Sequence, residues 1–175
     1  MLMWEDVHMH LKSSRVFVWT VVPKNCIALE QMRKMVFLDI NFLIDNKIEP
    51  NKLLPGTGLN SIKDTVFYTK AVAKMNVRGV LVLPPFYYKN VTNDGLINYY
   101  TRVVEDVGEA KLHYLLYHFP QMSCVGIDLH VIEKLLYKFP DNIIGIKDST
   151  FITSIGIYGI LNLEYDCGPD ENNIK

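Results

Sequence analysis

The feature that most constrains this chain is a recurrence of short apolar runs about 30 residues apart. Gly79-Val80-Leu81-Val82-Leu83-Pro84 shows no polar alternation, the pattern of a parallel strand covered on both faces. Leu53-Leu54 running into Pro55-Gly56-Thr57-Gly58 reads as a shorter buried strand ending in a glycine turn. Leu112 to Phe119 and Asn142 to Lys147 read as two more strands. The starts, near 53, 79, 112 and 142, are 26, 33 and 30 residues apart. Between them the apolar period becomes helical. One face carries Ile62, Val66, Thr69 and Ala73, the next Leu96, Tyr100, Val103 and Val107, the third Ile132, Leu135, Leu136 and Phe139. Ser61 with Asp64, then Thr92, Asn93 or Asp94, then Asp128 supply N-cap signals. Upstream, Arg15 to Val22 reads as a strand and Leu29 to Asn46 as a helix. Strand–helix alternation with short loops specifies an α/β fold with a parallel sheet and right-handed crossovers.

Two architectures satisfy that pattern, an open doubly wound sheet and a (β/α)8 barrel. Both place their chemistry at the C-terminal ends of the strands. A closed barrel takes about 250 residues, and this chain of 175 has room for five or six units. The charge balance, 18 Lys+Arg against 19 Asp+Glu, gives no basic excess for nucleic acid. No apolar run reaches the roughly 18 residues of a membrane span, and residues 1–12 lack the apolar core of a secretory signal. Cys26, Cys124 and Cys167 are odd in number and form no CxxC pair, so the expectation is a reducing cytoplasm without disulfides or structural zinc.

The strand ends carry Gly56-Thr57-Gly58, then Pro85-Phe86-Tyr87-Tyr88, then Tyr117-His118, then Lys147-Asp148-Ser149-Thr150. Lys147 is the most informative. An ammonium at the end of a buried strand is desolvated, which lowers its pKa, and a neutral amine can attack a carbonyl to form a Schiff base. The alternative is a strand-end lysine whose head snorkels to solvent. Tyr117 ends the preceding strand, within reach of Lys147 if the two strands are neighbours. A phenol beside an amine shuttles protons; the alternative is a core tyrosine bonded to backbone. Gly56-Thr57-Gly58 is a tight turn or a backbone anion cradle. No GxGxxG or P-loop occurs, so nucleotide binding has no support. His8 and His10 lack further ligands nearby, and Cys124 lacks the partners of a catalytic thiol.

Residues about 36–150 resemble the dihydrodipicolinate synthase / N-acetylneuraminate lyase family, pyruvate-dependent class I aldolases on a (β/α)8 barrel. The resemblance lies in LLPGTGLNS (53–61), GVLVLPPFYYKN (79–90), YLLYHFP (114–120) and NIIGIKDST (142–150). It implies a TIM-barrel-type fold, partial here, flanked by divergent segments 1–35 and 151–175. It implies that Lys147 is the Schiff-base lysine, that Tyr117 moves protons, and that Tyr87 reaches into a neighbouring subunit's site. A homo-oligomer follows. Gly56, Thr57 and Gly58 would line the substrate. The reaction joins pyruvate to an aldehyde, or cleaves a 2-keto acid to pyruvate, with no metal and no cofactor.

The departures are specific. The family's glycine and paired threonines after the second strand are absent from residues 19–25, which read Trp-Thr-Val-Val-Pro-Lys-Asn. Met122 stands where the lysine-biosynthesis branch carries an arginine, and it cannot pair bidentately with a carboxylate. That points toward a lyase or sugar-acid aldolase branch. The motifs fade before residue 36 and after 150, as a truncated or frame-disrupted reading of a longer gene would. The competing expectation is therefore an inactive partial barrel, a fragment or an assembly partner of a longer relative. An open flavodoxin-like binding domain is the remaining reading.

Overall fold

The computed structural model describes residues 9–12, 15–18 and 40–149. β1 (Met9–Lys12) and β2 (Arg15–Val18) form an antiparallel pair, with Met9 opposite Val18 and Lys12 opposite Arg15. The strand expected over 15–22 is thus present in its first half, and its remainder lies outside the described residues. Of the helix expected over 29–46, residues 40–45 are helical and 29–39 lie outside the described residues.

From residue 53 onward the chain alternates strand and helix. α1 (Ile62–Ala73) leads to β3 (Gly79–Val82), α2 (Asn93–Val107) to β4 (His113–His118), and α3 (Leu129–Lys138) to β5 (Ile143–Asp148). The three strands form a parallel sheet in the order β3-β4-β5, each crossover made by one helix. Residues 54–57 extend this sheet by one more strand-like segment. The Leu81 N–H donates to the Pro55 carbonyl and the Thr57 N–H to the Leu81 carbonyl, both at 2.9 Å. Gly56 bridges to Leu81 and Leu53 also stands in a bridge, but the glycine turn that begins at once stops any longer run. The expected strand is therefore present as isolated bridges rather than as a ladder.

The helix caps follow the local chemistry. The Ser61 hydroxyl accepts from the Asp64 N–H at 3.4 Å, and the Thr92 hydroxyl from the Gly95 N–H at 3.1 Å. Gly108 closes α2 in the left-handed region, φ 69°, where a side chain would be strained. Asp128 stands at the N-cap of α3 but does not cap it with its side chain. Its carboxylate instead accepts from the Asn93 amide at 2.9 Å, tying the starts of α2 and α3 together.

The sheet has two dissimilar faces. Val80, Val82, Tyr114, Leu116, Ile143 and Ile146 pack beneath the helices, against Val72, Leu96, Tyr100, Val103, Val131, Ile132 and Leu135. Each fully buried aliphatic there contributes about 1.5–3 kcal/mol. The opposite face carries a small apolar layer of Leu54, Leu81 and Leu115, with Ile144 against it. The buried face of α1 is rotated from the expected one and keeps only Thr69 of it: Thr65, Tyr68, Thr69 and Val72 are buried, while Ile62, Val66 and Ala73 pack at the margin. The cause is a polar network. The Thr65 hydroxyl accepts from the Leu59 N–H at 3.0 Å and bonds the Tyr99 hydroxyl at 3.0 Å, and Tyr99 donates to the Leu59 carbonyl at 2.7 Å. Partnered in this way, a threonine is buried at little cost. Among the described residues no helix is long and apolar enough to cross a membrane.

Candidate active site

Position at the site is set by a fault in the β4–β5 ladder. Tyr114 pairs with Ile143, but Leu115 pairs with Gly145, so Ile144 is an extra residue on β5. Such a bulge shifts all that follows by one residue and reverses which face each side chain takes. Beyond it, Tyr117 lies opposite Lys147 and His118 opposite Asp148. Tyr117 and Lys147 thereby share the face of Leu115, away from the helices. In an unbroken register Tyr117 would meet Ile146.

The two side chains are in contact. The Lys147 Nζ lies 4.8 Å from the centre of the Tyr117 ring. Lys147 is only 8% exposed, so its head does not snorkel to solvent. Its Nζ donates to the Ser149 hydroxyl. Burial pushes the Tyr117 phenol up to about 12, and a hydrogen bond with the Ser149 side chain works against that rise. Tyr117 is therefore a neutral phenol at ordinary pH, able to donate a proton. Its ring stacks on Phe119, centroids 5.8 Å apart.

His118 forms the back of the site. It is buried, its Nδ1 accepts from the Ile127 N–H at 3.1 Å, and its carbonyl accepts from the Ser149 N–H at 2.9 Å. Burial lowers its pKa, against the opposing pull of Asp148 and then Asp128. A turn at Pro120–Ser123 follows β4, where the Ser123 hydroxyl donates to the Phe119 carbonyl at 3.0 Å. Met122 is on this turn, 44% exposed. Cys124 is a free, exposed thiol.

The remaining expected site residues stand as follows. The Thr57 hydroxyl accepts from Thr69 on α1 at 2.9 Å and is buried. Gly56 carries the bridge to Leu81. Gly58 is pressed against β3, where a Cβ would lie 2.2 Å from the Leu83 nitrogen. Tyr87 is 66% exposed on the turn after β3, edge-on to Tyr88, and its N–H donates to the Asn60 side chain at 2.7 Å. Among the described residues no three of His, Cys, Asp and Glu gather as metal ligands.

Sequence reasoning gave Ser149 and His118 no role. The signal for Ser149 was its place two residues after Lys147, on the same face of an extended chain. His118 carried no such signal, because its partner at Ile127 belongs to a loop.

Comparison with known proteins extends this picture. A model of the dihydrodipicolinate synthetase family matches residues 28–170, a span longer at both ends than the motifs alone mark out. The 4-hydroxy-tetrahydrodipicolinate synthase of Listeria innocua is 38% identical over 100 residues, 57% of this chain and 32% of that protein. The chain thus spans about a third of the length of the curated relatives it matches. The crystal structure of dihydrodipicolinate synthase from Agrobacterium tumefaciens superposes with a TM-score of 0.63 at 26% identity, covering 71% of this chain and 42% of that one. Chloride-inhibited dihydrodipicolinate synthase from Acinetobacter baumannii, solved with pyruvate, gives 0.57 at 30% identity, covering 70% and 39%. With its family match, its solved relatives and a parallel sheet that ends in a buried lysine, the chain belongs to the dihydrodipicolinate synthetase family.

Proposed function

We propose that this chain carries the Schiff-base half of a pyruvate-dependent aldolase or lyase, on an arc of a (β/α)8 barrel. The observation that carries the reading is the buried Lys147 lying against a neutral Tyr117 at the C-terminal ends of adjacent parallel strands. The pyruvate held by the Acinetobacter baumannii enzyme supports the choice of keto acid.

In this mechanism the neutral Lys147 amine attacks the keto carbon of pyruvate, and the carbonyl π pair moves to oxygen. The nitrogen loses a proton and the oxygen gains one, giving a carbinolamine. The C–O bond then breaks as the nitrogen lone pair forms C=N, and Tyr117 donates the proton that lets the oxygen leave as water. The Tyr117 phenolate recovers a proton from the methyl carbon, and the iminium becomes an enamine. The enamine adds to an aldehyde; run in reverse, the same steps cleave a 2-keto acid. These steps use amine, phenol and water, and call for neither metal nor diffusible cofactor. Gly56, Thr57 and Gly58 wall the site as a backbone turn. Met122, unable to grip a carboxylate, favours a sugar-acid or other aldehyde partner lacking one at that place. Exposed Tyr87 and Tyr88 offer an aromatic contact to a second copy, which supports a homo-oligomer. The free Cys124 suits a cytoplasmic setting.

Borohydride trapping of the purified chain with pyruvate, read by intact mass, tests the proposal. The expected result is one reduced pyruvate adduct on the parent and none on Lys147→Ala. A folded parent without adduct, or an adduct that survives Lys147→Ala, overturns it.

A further inference from the structure

Ser149 occupies the junction of the candidate site. Its hydroxyl accepts from the Lys147 Nζ, and its side chain hydrogen-bonds Tyr117. Its own N–H is held by the His118 carbonyl at 2.9 Å, which continues the β4–β5 ladder one step past its end and fixes where the hydroxyl stands. Lys147 approaches Tyr117 over the face of the ring, 4.8 Å from its centre. A proton leaving the amine therefore needs a carrier to reach the phenolic oxygen. The serine oxygen, bonded to both groups, is that carrier. A hydroxyl can accept one proton while donating another, which a backbone amide or an alkyl group in its place cannot.

From this geometry we infer that Ser149 is a catalytic residue, relaying the proton between the Lys147 nitrogen and the Tyr117 phenol during carbinolamine formation. This rests on the Schiff-base reading above. As the N–C bond forms, the excess proton on nitrogen passes to the Ser149 oxygen. The hydroxyl proton of Ser149 passes to the Tyr117 oxygen, and the phenolic proton passes to the former carbonyl oxygen. One proton has moved from nitrogen to oxygen, and Ser149 and Tyr117 end with the protons they began with. No oxidant or other reactant is required.

The test is the rate of borohydride-trappable adduct formation with pyruvate across pH, on the parent, Ser149→Ala and Ser149→Thr. Removing one proton carrier from such a step slows it by about 10²-fold. The expected result is that Ser149→Ala reaches the parent's final adduct yield about 10²-fold more slowly, and that Ser149→Thr restores the rate to within a few-fold. A Ser149→Ala protein that traps pyruvate at the parental rate overturns the relay and leaves Lys147 chemistry intact. A Ser149→Thr protein that folds like the parent but is as slow as Ser149→Ala also overturns it. If Ser149→Ala does not fold, Ser149→Thr and Ser149→Cys decide the matter. A parental rate in both, although a thiol hydrogen-bonds weakly, overturns the relay, and a slow Cys beside a fast Thr supports it. No adduct on the folded parent overturns the Schiff-base reading and the relay with it.

Discussion

The charge on His118 is coupled to the shape of the loop behind the site. Its Nδ1 accepts a backbone N–H from Ile127, so a proton arriving there must break that bond. Burial lowers its pKa below the ordinary histidine value, with Asp148 and Asp128 opposing. The unfolded chain therefore takes up this proton at a higher pH than the folded one. The associated stability is present above about pH 6.5 and is lost as pH falls through the folded pKa. We expect the urea midpoint to drop between pH 7.5 and 5, and the drop to shrink in His118→Asn, which keeps an acceptor but does not titrate. An equal drop in both proteins would mean that other groups set the acid response. At this scale the sequence was legible where chemistry is local. Lys147 and Tyr117 are named by what precedes them, an apolar strand ending in an amine or a phenol. His118 and Ser149 were not, because their roles depend on partners fixed only by folding.

The elements obeyed their apolar pattern closely: β3, β4 and β5 begin within a residue of where their runs predict. The face of α1 did so only in part: Thr69 is buried as its spacing predicts, but Thr65 looks like a surface residue until Tyr99 and Leu59 bond its hydroxyl. The β5 bulge was also hidden, since Gly145 reads as one more small residue in an apolar strand. The seam between the 54–58 segment and β3 gives the sharpest element-scale expectation. A Cβ at Gly58 would lie 2.2 Å from the Leu83 nitrogen and 2.7 Å from its carbonyl oxygen, both backbone atoms that cannot step aside. Gly58→Ala should destabilise the chain by about 3 kcal/mol or more. Gly126→Ala, whose Cβ would meet only the His118 Cε1 at 3.9 Å, should stay within about 0.5 kcal/mol. Chemical denaturation of the two variants distinguishes them, and equal effects would show that the seam yields.

Across the whole molecule, buried phenols set the alkaline limit. Burial raises Tyr99, Tyr100 and Tyr114 well above the usual tyrosine value, and Tyr117 to about 12. The unfolded chain loses these protons near pH 10 while the folded chain keeps them. Stability is therefore unchanged by these groups below pH 10 and is lost as pH rises from there through 12. We expect the urea midpoint to fall between about pH 9 and pH 11.5, with phenolate absorbance from these rings appearing together with unfolding. Phenolate appearing in a still-folded chain would contradict it. The parallel α/β architecture was legible from run spacing alone, because strands buried on both faces leave continuous apolar runs. What joins the arc to residues 1–8, 19–39 and 150–175 lies outside the described residues. The bulge at Ile144 makes the site depend on spacing as much as on residue type. Every motif of the candidate site can survive in a sequence while its phase is lost: inserting a single codon between Gly145 and Lys147 leaves Lys147, Tyr117 and Ser149 spelled out, yet turns the lysine to the helix side of the sheet. In such a strand the residues themselves are therefore a weaker witness to chemistry than the spacing between them.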